Sequence, residues 1–192
     1  MTGQHRLVQR NEFIAGTQDR HAGLPIDLNL RSTYRGTQGD SLAPYVPSPP
    51  DVVEKILRMA ELKEGNILYD LGCGDGRIVI MAAQRFGANC VGVELDDGRY
   101  RGCVRKVREL QLQSQVKIVQ GNAMDISLKD ADVVTLYLLT KSNEKLKPNL
   151  ERDLKPGARV VSHDFSMPGW TPTLVEEIKG STDTHTIYMY RR

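Results

Sequence analysis

The chain has 192 residues, enough for one domain with a full core and short for two, so one domain plus an extension is expected. Its 26 basic and 24 acidic residues are interspersed and leave a formal charge of +2, which gives no electrostatic footprint of a nucleic-acid binder. No run approaches the ~18 apolar residues of a membrane helix and no signal-peptide core opens the chain, so a soluble protein without a membrane span is expected.

In chain order, residues 1–43 scatter Gly, Gln, Arg and Asp without a period of 2 or 3.6, the texture of an irregular extension. This stretch holds five Arg and no Lys, the bias of a mitochondrial leader, but Glu12, Asp19, Asp27 and Asp40 oppose that reading and a cytoplasmic location is expected. At "PYVPSPPDVVEKILRMAEL" the texture changes. Prolines hold an extended lead-in, Asp51 is placed to start a helix, and Val52, Val53, Ile56, Leu57 and Ala60 form an apolar stripe. The folded domain is therefore set at residues 44–192. An alternation follows: strand 67–71, helix 77–86, strand 90–95, helix 98–112, strand 116–120, strand 132–139, helix 142–154 and strand 159–165. Strands alternating with helices imply an α/β, doubly wound, mostly parallel sheet covered on both faces. Segments 173–179 and 184–190 both look extended, and the few residues between them are too short for a parallel crossover, so they predict an antiparallel hairpin at a sheet edge. Cys73, Cys90 and Cys103 are odd in number and lack C-x-x-C spacing, which predicts reduced thiols and no zinc site.

"NILYDLGCGDGRIVI" places three alternating glycines between the first strand and the next helix, and Glu94 ends the following strand 20 residues after Gly74. In open α/β sheets ligands bind beyond the carboxyl ends of the strands, where both features fall. The loop of Gly72, Cys73, Gly74, Asp75 and Gly76 lets backbone approach a ligand, and Glu94 can accept hydrogen bonds from both ribose hydroxyls. The third glycine comes one residue early for a dinucleotide fingerprint, and Asp70 and Asp75 bring carboxylates that phosphates would repel. A cationic, phosphate-free nucleoside such as S-adenosylmethionine fits better, with Asp70 at its methionine end. Asp75 either lies near that ligand or caps the helix starting at Arg77.

"DLGCGDGRI", "VGVELD", "VQGNAMD" and "LKPGARVVSHDF" resemble, in order and spacing, the motifs of class I S-adenosylmethionine-dependent methyltransferases. More narrowly, "YVPSPPDVVEKIL", "YLLTKSNEKLKPNLERDLKPGARVVSHDFSMPGW" and the closing "HTIYMY" resemble small archaeal and bacterial protein-lysine methyltransferases related to the ATP synthase c-subunit lysine methyltransferases. The resemblance implies a seven-stranded sheet in the order 3-2-1-4-5-7-6. It implies Asn122 at the adenine amino group, where a turn role is the alternative, with Leu95 and Ala123 flanking the ring. It also implies that Tyr45 closes over the methionine end, where the alternative is a hydrophobic staple on the first helix.

After the fourth strand the chain reads "LYLLTKSNE" in place of the Asn/Asp-Pro-Pro-aromatic motif of many amino-methylating relatives, which weakens a case for base or glutamine methylation. The resemblance implies Tyr137, Thr140 and Asn143 near the sulfonium. An attacking lysine must be neutral although its ordinary pKa is ~10.4, and a sulfonium and an aromatic wall both favour that form. His163 and Asp164 lie at the same edge, one of them orienting the amine. As neighbours on a strand they are expected to face opposite sides, so a metal shared between them is not expected. Trp170 either covers the acceptor channel or anchors its loop. The expected function is thus methylation of accessible lysines on a protein partner, without nucleic acid. The alternatives are a small-molecule or RNA methyltransferase, or a cofactor-binding module without its own activity.

Overall fold

The computed structural model describes residues 42–179 and 183–192. The extension expected over residues 1–43 lies outside them except for Leu42 and Ala43, which pack against the domain. The elements in order are α1 (Pro50–Met59), β1 (Ile67–Leu71), α2 (Arg77–Phe86), β2 (Asn89–Glu94), α3 (Asp97–Glu109), β3 (Val116–Gln120), β4 (Val133–Leu136), α4 (Thr140–Asp153), β5 (Arg159–His163), β6 (Leu174–Lys179) and β7 (Thr184–Arg191), with a 3-10 turn at Ala123–Asp125. They build one seven-stranded sheet in the order β3-β2-β1-β4-β5-β7-β6. The first five strands pair in parallel, and β7 runs antiparallel to both β5 and β6. The expected sheet order and terminal hairpin are both present.

Alternate residues of each strand feed two cores. Leu68, Val133, Val161, Ile187 and Met189 join α1, α2 and α3 on one side. Their sequence neighbours Ile67, Tyr69, Val134, Val160 and Tyr190 join Leu146 and Leu150 of α4 on the other. A parallel sheet buried on both faces needs such near-continuous apolar strands.

Several boundaries differ from the periodicity by one to three residues, and three of them fall where the backbone leaves the regular region. β4 stops at Leu136 because the chain turns at Leu139 (φ −59°, ψ 153°) into α4. Helix α3 ends early, with Gln111 just beyond it at φ 56°. β5 stops at His163 because Asp164 takes the left-handed conformation, φ 58°. Among the described residues no helix is long and apolar enough to cross a membrane.

Candidate functional site

The carboxyl ends of β1, β2 and β4 border an open-sided cleft lined by the glycine loop, Glu94, Asn122 and Tyr137. Its floor is the glycine loop. Gly74 has φ 57°, and a Cβ there would lie 2.6 Å from Cε2 of Tyr45, so both backbone and ring exclude a side chain. Gly76, at φ 78°, flanks α2 and would drive a Cβ into the Cys103 thiol. Cys73, Cys90 and Cys103 are all buried free thiols.

Two carboxylates define the cleft's charge. Asp70 is 3% exposed and its Oδ1 accepts a hydrogen bond from Thr135 Oγ1 at 2.8 Å, across the register that pairs the two residues. Burial outweighs that bond, with Glu94 and Asp75 adding repulsion, and raises Asp70 to about 7. The carboxyl is thus poised to ionise when a cation arrives. Glu94 lies on the same side of the sheet. Its Oε2 accepts from Gly74 N–H at 2.9 Å and its Oε1 from Asp96 N–H at 2.8 Å, while Arg99 sits 3.2 Å away. A carboxylate offers about four acceptor positions; Gly74 N–H, Asp96 N–H and Arg99 Nε take three of them, so one on Oε2 remains for a ligand hydroxyl.

The lead-in to α1 lies across the glycine loop and is strapped down by two arginines, Arg77 within the "DLGCGDGRI" motif and Arg99 outside the motifs. Arg77 Nη1 donates to Ser48 O at 2.6 Å, and the Arg99 guanidinium lies 5.4 Å from the centre of the Tyr45 ring. Tyr45 therefore sits over Gly74 and borders the cleft, which is not a staple geometry. Asp75 immediately precedes Gly76, the N-cap of α2, which has no side-chain cap bond. It borders the cleft, and it accepts from Arg77 N–H at 3.1 Å while its carboxylate pairs with the Arg77 guanidinium at 2.8 Å. Asn122 is likewise double: its Oδ1 accepts from Met124 N–H at 3.0 Å, starting the 3-10 turn, and the residue borders the cleft with Leu95 and Ala123.

On the β4 and β5 side, Tyr137 is the expected residue that reaches the cleft wall. Its hydroxyl donates to Asp164 Oδ2 at 3.1 Å, and its ring lies 3.8 Å, centre to centre, from the His163 imidazole. Burial first, then the Asp164 carboxylate, pushes the hydroxyl up to about 12, so Tyr137 stays neutral. His163 is fully buried, with Nδ1 2.9 Å from Ser48 Oγ; burial outweighs the nearby carboxylate and lowers it to about 4, leaving a neutral ring.

The expectation that His163 and Asp164 face opposite sides fails. Strict alternation holds only while the strand continues, and the left-handed turn at Asp164 swings its carboxylate back to 3.4 Å from His163 Nε2. Burial pushes Asp164 up, but hydrogen bonds from Thr186 N–H, His185 and Tyr137 outweigh it and hold the carboxylate below its usual range. His185, from the other end of the chain, completes the group at 3.2 Å from Asp164 Oδ2. It opens the closing "HTIYMY" segment, outside the site residues expected from the sequence, and the β5–β7 register brings it here.

Thr140 and Asn143 do not border the cleft. Thr140 opens α4 and is exposed. Asn143 is fully buried, and its Nδ2 donates to Phe165 O at 3.0 Å, holding the turn after β5. Trp170 is an anchor: its Nε1 donates to Glu151 at 2.9 Å and its ring stands edge-on to Tyr190 at 5.6 Å.

The chain is similar to several known proteins. The ANTKMT methyltransferase domain matches residues 70–174. A protein-lysine N-methyltransferase of Saccharolobus islandicus is 45% identical over 148 residues, 77% of this chain and 92% of that protein. The human ATP synthase c-subunit lysine N-methyltransferase is 31% identical over 67% of this chain, which spans 54% of the human protein. Among solved structures, an RNA methyltransferase from Salinibacter ruber in complex with S-adenosyl-L-homocysteine superposes with a TM-score of 0.72 at 41% identity, over 76% of this chain and 93% of that one.

Proposed function

The chain belongs to the family of the ANTKMT methyltransferase domain, and from that membership we propose that it methylates the ε-amino group of lysine on a protein. It is an S-adenosylmethionine-dependent methyltransferase. The observation that carries the choice of acceptor is the identity to the S. islandicus protein-lysine enzyme. Its 148 aligned residues cannot be accommodated by the cofactor half alone.

The residues fit the cofactor through the chemistry of their donors and acceptors. Asp70, whose pKa burial and then the nearby carboxylates raise, takes the ammonium of the methionine end. Glu94 takes a ribose hydroxyl with its remaining Oε2 lone pair, and Gly72, Cys73, Gly74, Asp75 and Gly76 supply the backbone beside it. Asn122 keeps one Oδ1 lone pair for the adenine amino group, Leu95 and Ala123 flank the ring, and Tyr45 covers the methionine end. When bound, S-adenosylmethionine supplies an electrophilic methyl group on a sulfonium.

On the acceptor side Tyr137 is the contact residue. Because its hydroxyl proton is committed to Asp164, its oxygen lone pairs are left to receive an amine N–H and aim the nitrogen at the methyl group. His163 backs the ring, and Asp164 fixes the hydroxyl. Asn143 and Thr140 act at one remove, through the loop after β5 and the start of α4. Closing the cleft over the amine favours its neutral form, which attack requires.

A second reading has its own observation, the 41% identity to the S. ruber RNA methyltransferase. The formal charge of +2 argues against it, because RNA binding draws on clustered Lys and Arg. Incubation with methyl-labelled cofactor and a cell lysate, with and without nuclease, separates the two. Label on nuclease-resistant protein that mass spectrometry assigns to methyl-lysine is expected, and label lost to nuclease would replace the lysine reading by the RNA one.

A further inference from the structure

Three side chains from two strands meet behind Tyr137, and their atoms are arranged for something other than one another. His163 Nε2 lies 3.0 Å from His185 Nδ1, His185 Nδ1 lies 3.2 Å from Asp164 Oδ2, and Asp164 Oδ2 lies 3.4 Å from His163 Nε2. Without an ion, a proton on His185 Nδ1 lets it donate to Asp164 Oδ2; with that proton on Nε2 instead, all three atoms turn lone pairs toward one another. A divalent ion satisfies all three at once: ligand atoms ~2.0–2.1 Å from a tetrahedral centre stand about 3.3–3.4 Å apart, close to these edges.

The surroundings supply what such a site needs. His163 is fully buried and its other ring nitrogen meets Ser48 Oγ at 2.9 Å. With Nδ1–H donating there, Nε2 is the bare nitrogen that faces the triangle, the arrangement by which outer partners fix a metal-binding histidine. Asp164 Oδ1 is engaged by Thr186 N–H at 2.9 Å, which orients Oδ2 inward. The side chains of Asp164 and His185 remain 25% and 13% exposed, so one side of the triangle opens to solvent for a water ligand. Of the described residues, this is the group of three potential ligands that could hold a metal ion.

We propose that His163 Nε2, Asp164 Oδ2 and His185 Nδ1 form a binding site for a borderline divalent ion of the Zn²⁺ class, with water in the fourth position. The ligand set of two imidazoles and one carboxylate suits Zn²⁺, Co²⁺ or Ni²⁺ and does not suit Mg²⁺ or Ca²⁺, which prefer oxygen. The ion would clip the end of β5 to β7 behind the Tyr137 wall and draw charge from the carboxylate that holds its hydroxyl. The site stands whichever acceptor the enzyme methylates.

The test uses tag-free, full-length protein freed of metal with a chelator. Zn²⁺ is titrated calorimetrically, and Co²⁺ is added separately to read its visible d–d bands. Wild type is expected to bind about one equivalent at this site and to give tetrahedral-type cobalt bands. His185→Gln and Asp164→Asn are each expected to abolish the bands and to weaken that zinc event at least tenfold, and Ser48→Ala to weaken it by about tenfold. Unchanged S-adenosylhomocysteine affinity of His185→Gln shows that the variant is folded. Zinc affinity and cobalt spectra identical in wild type and His185→Gln, or no binding event in wild type, would overturn the proposal.

Discussion

The two halves of the cleft are built by different means. The cofactor half is drawn from Asp70 to Ala123, a nearly continuous stretch, and much of it is backbone: the glycine loop, the N–H groups around Glu94 and the turn at Asn122. The acceptor half is made of side chains from segments far apart. Tyr137 at the wall, Ser48, the adjacent pair His163 and Asp164 and, behind them, His185 come from four segments and meet only because β5 lies between β4 and β7. Ser48 joins the halves, its carbonyl held by Arg77 from the cofactor side and its hydroxyl by His163 from the acceptor side. A backbone-built half fixes how the cofactor lies, and a side-chain-built half can change its acceptor by few substitutions.

The largest effect that tests this division is at Glu94. Glu94→Ala removes the acceptor for Gly74 N–H together with the proposed ribose contact. With hydrogen bonds to a charged group at ~1.5–3 kcal/mol each, S-adenosylhomocysteine affinity is expected to fall by about 100-fold or more in calorimetry. Wild-type affinity in that variant would remove the ribose assignment.

Next comes a pH dependence at Asp70. Its pKa in the ligand-free fold is raised to about 7, above the ordinary carboxyl value of ~3.9. Below the unfolded value both states are protonated and the fold keeps this contribution to its stability. As pH rises toward and through about 7 the contribution is lost, because ionising the buried group costs the folded state. A cationic ligand reverses the preference. Affinity for S-adenosylhomocysteine is therefore expected to rise about tenfold from pH 6 to pH 8, while the melting temperature of the ligand-free protein falls over the same range. Asp70→Asn should flatten both profiles; sloping profiles in that variant would place the titration elsewhere.

The acceptor half predicts the opposite pattern. Tyr137→Phe keeps the ring against His163 but deletes the hydroxyl that Asp164 orients. Turnover on a lysine substrate is expected to drop by about tenfold, the lower part of the range for losing a positioning contact, with cofactor affinity within about twofold of wild type. A loss of cofactor affinity as large as that of turnover would erase the distinction between the halves.

The same division explains what is legible in the sequence. The cofactor half is legible because its signal is local: glycines between a strand and a helix, and an acid at the next strand's end. The sheet order and hairpin follow from periodicity, loop length and resemblance, and they are the observed ones. Tyr137, His163 and Asp164 can be placed at the right edge, but how they meet cannot. Alternation fails at Asp164, whose residue type tolerates the left-handed φ better than most but does not require it. His185 is hidden because its partners lie 21 and 22 residues away, across a β5–β7 register that no local period encodes.

The smallest expected effect on the cleft concerns Trp170, on the α4 face. Its indole N–H is tied to Glu151, its ring meets Tyr190, and the Arg192 guanidinium lies 5.2 Å from the ring centre. None of these partners borders the cleft. Trp170→Leu therefore removes an edge-on aromatic contact worth ~0.5–1.5 kcal/mol and a hydrogen bond worth about 1 kcal/mol. A cost of about 1–3 kcal/mol is expected in urea unfolding, with cofactor affinity and turnover unchanged. If turnover fell while stability held, the loop after β5 would belong to the acceptor channel, and the acceptor half would extend from Tyr137 around the edge of β5 to the α4 face.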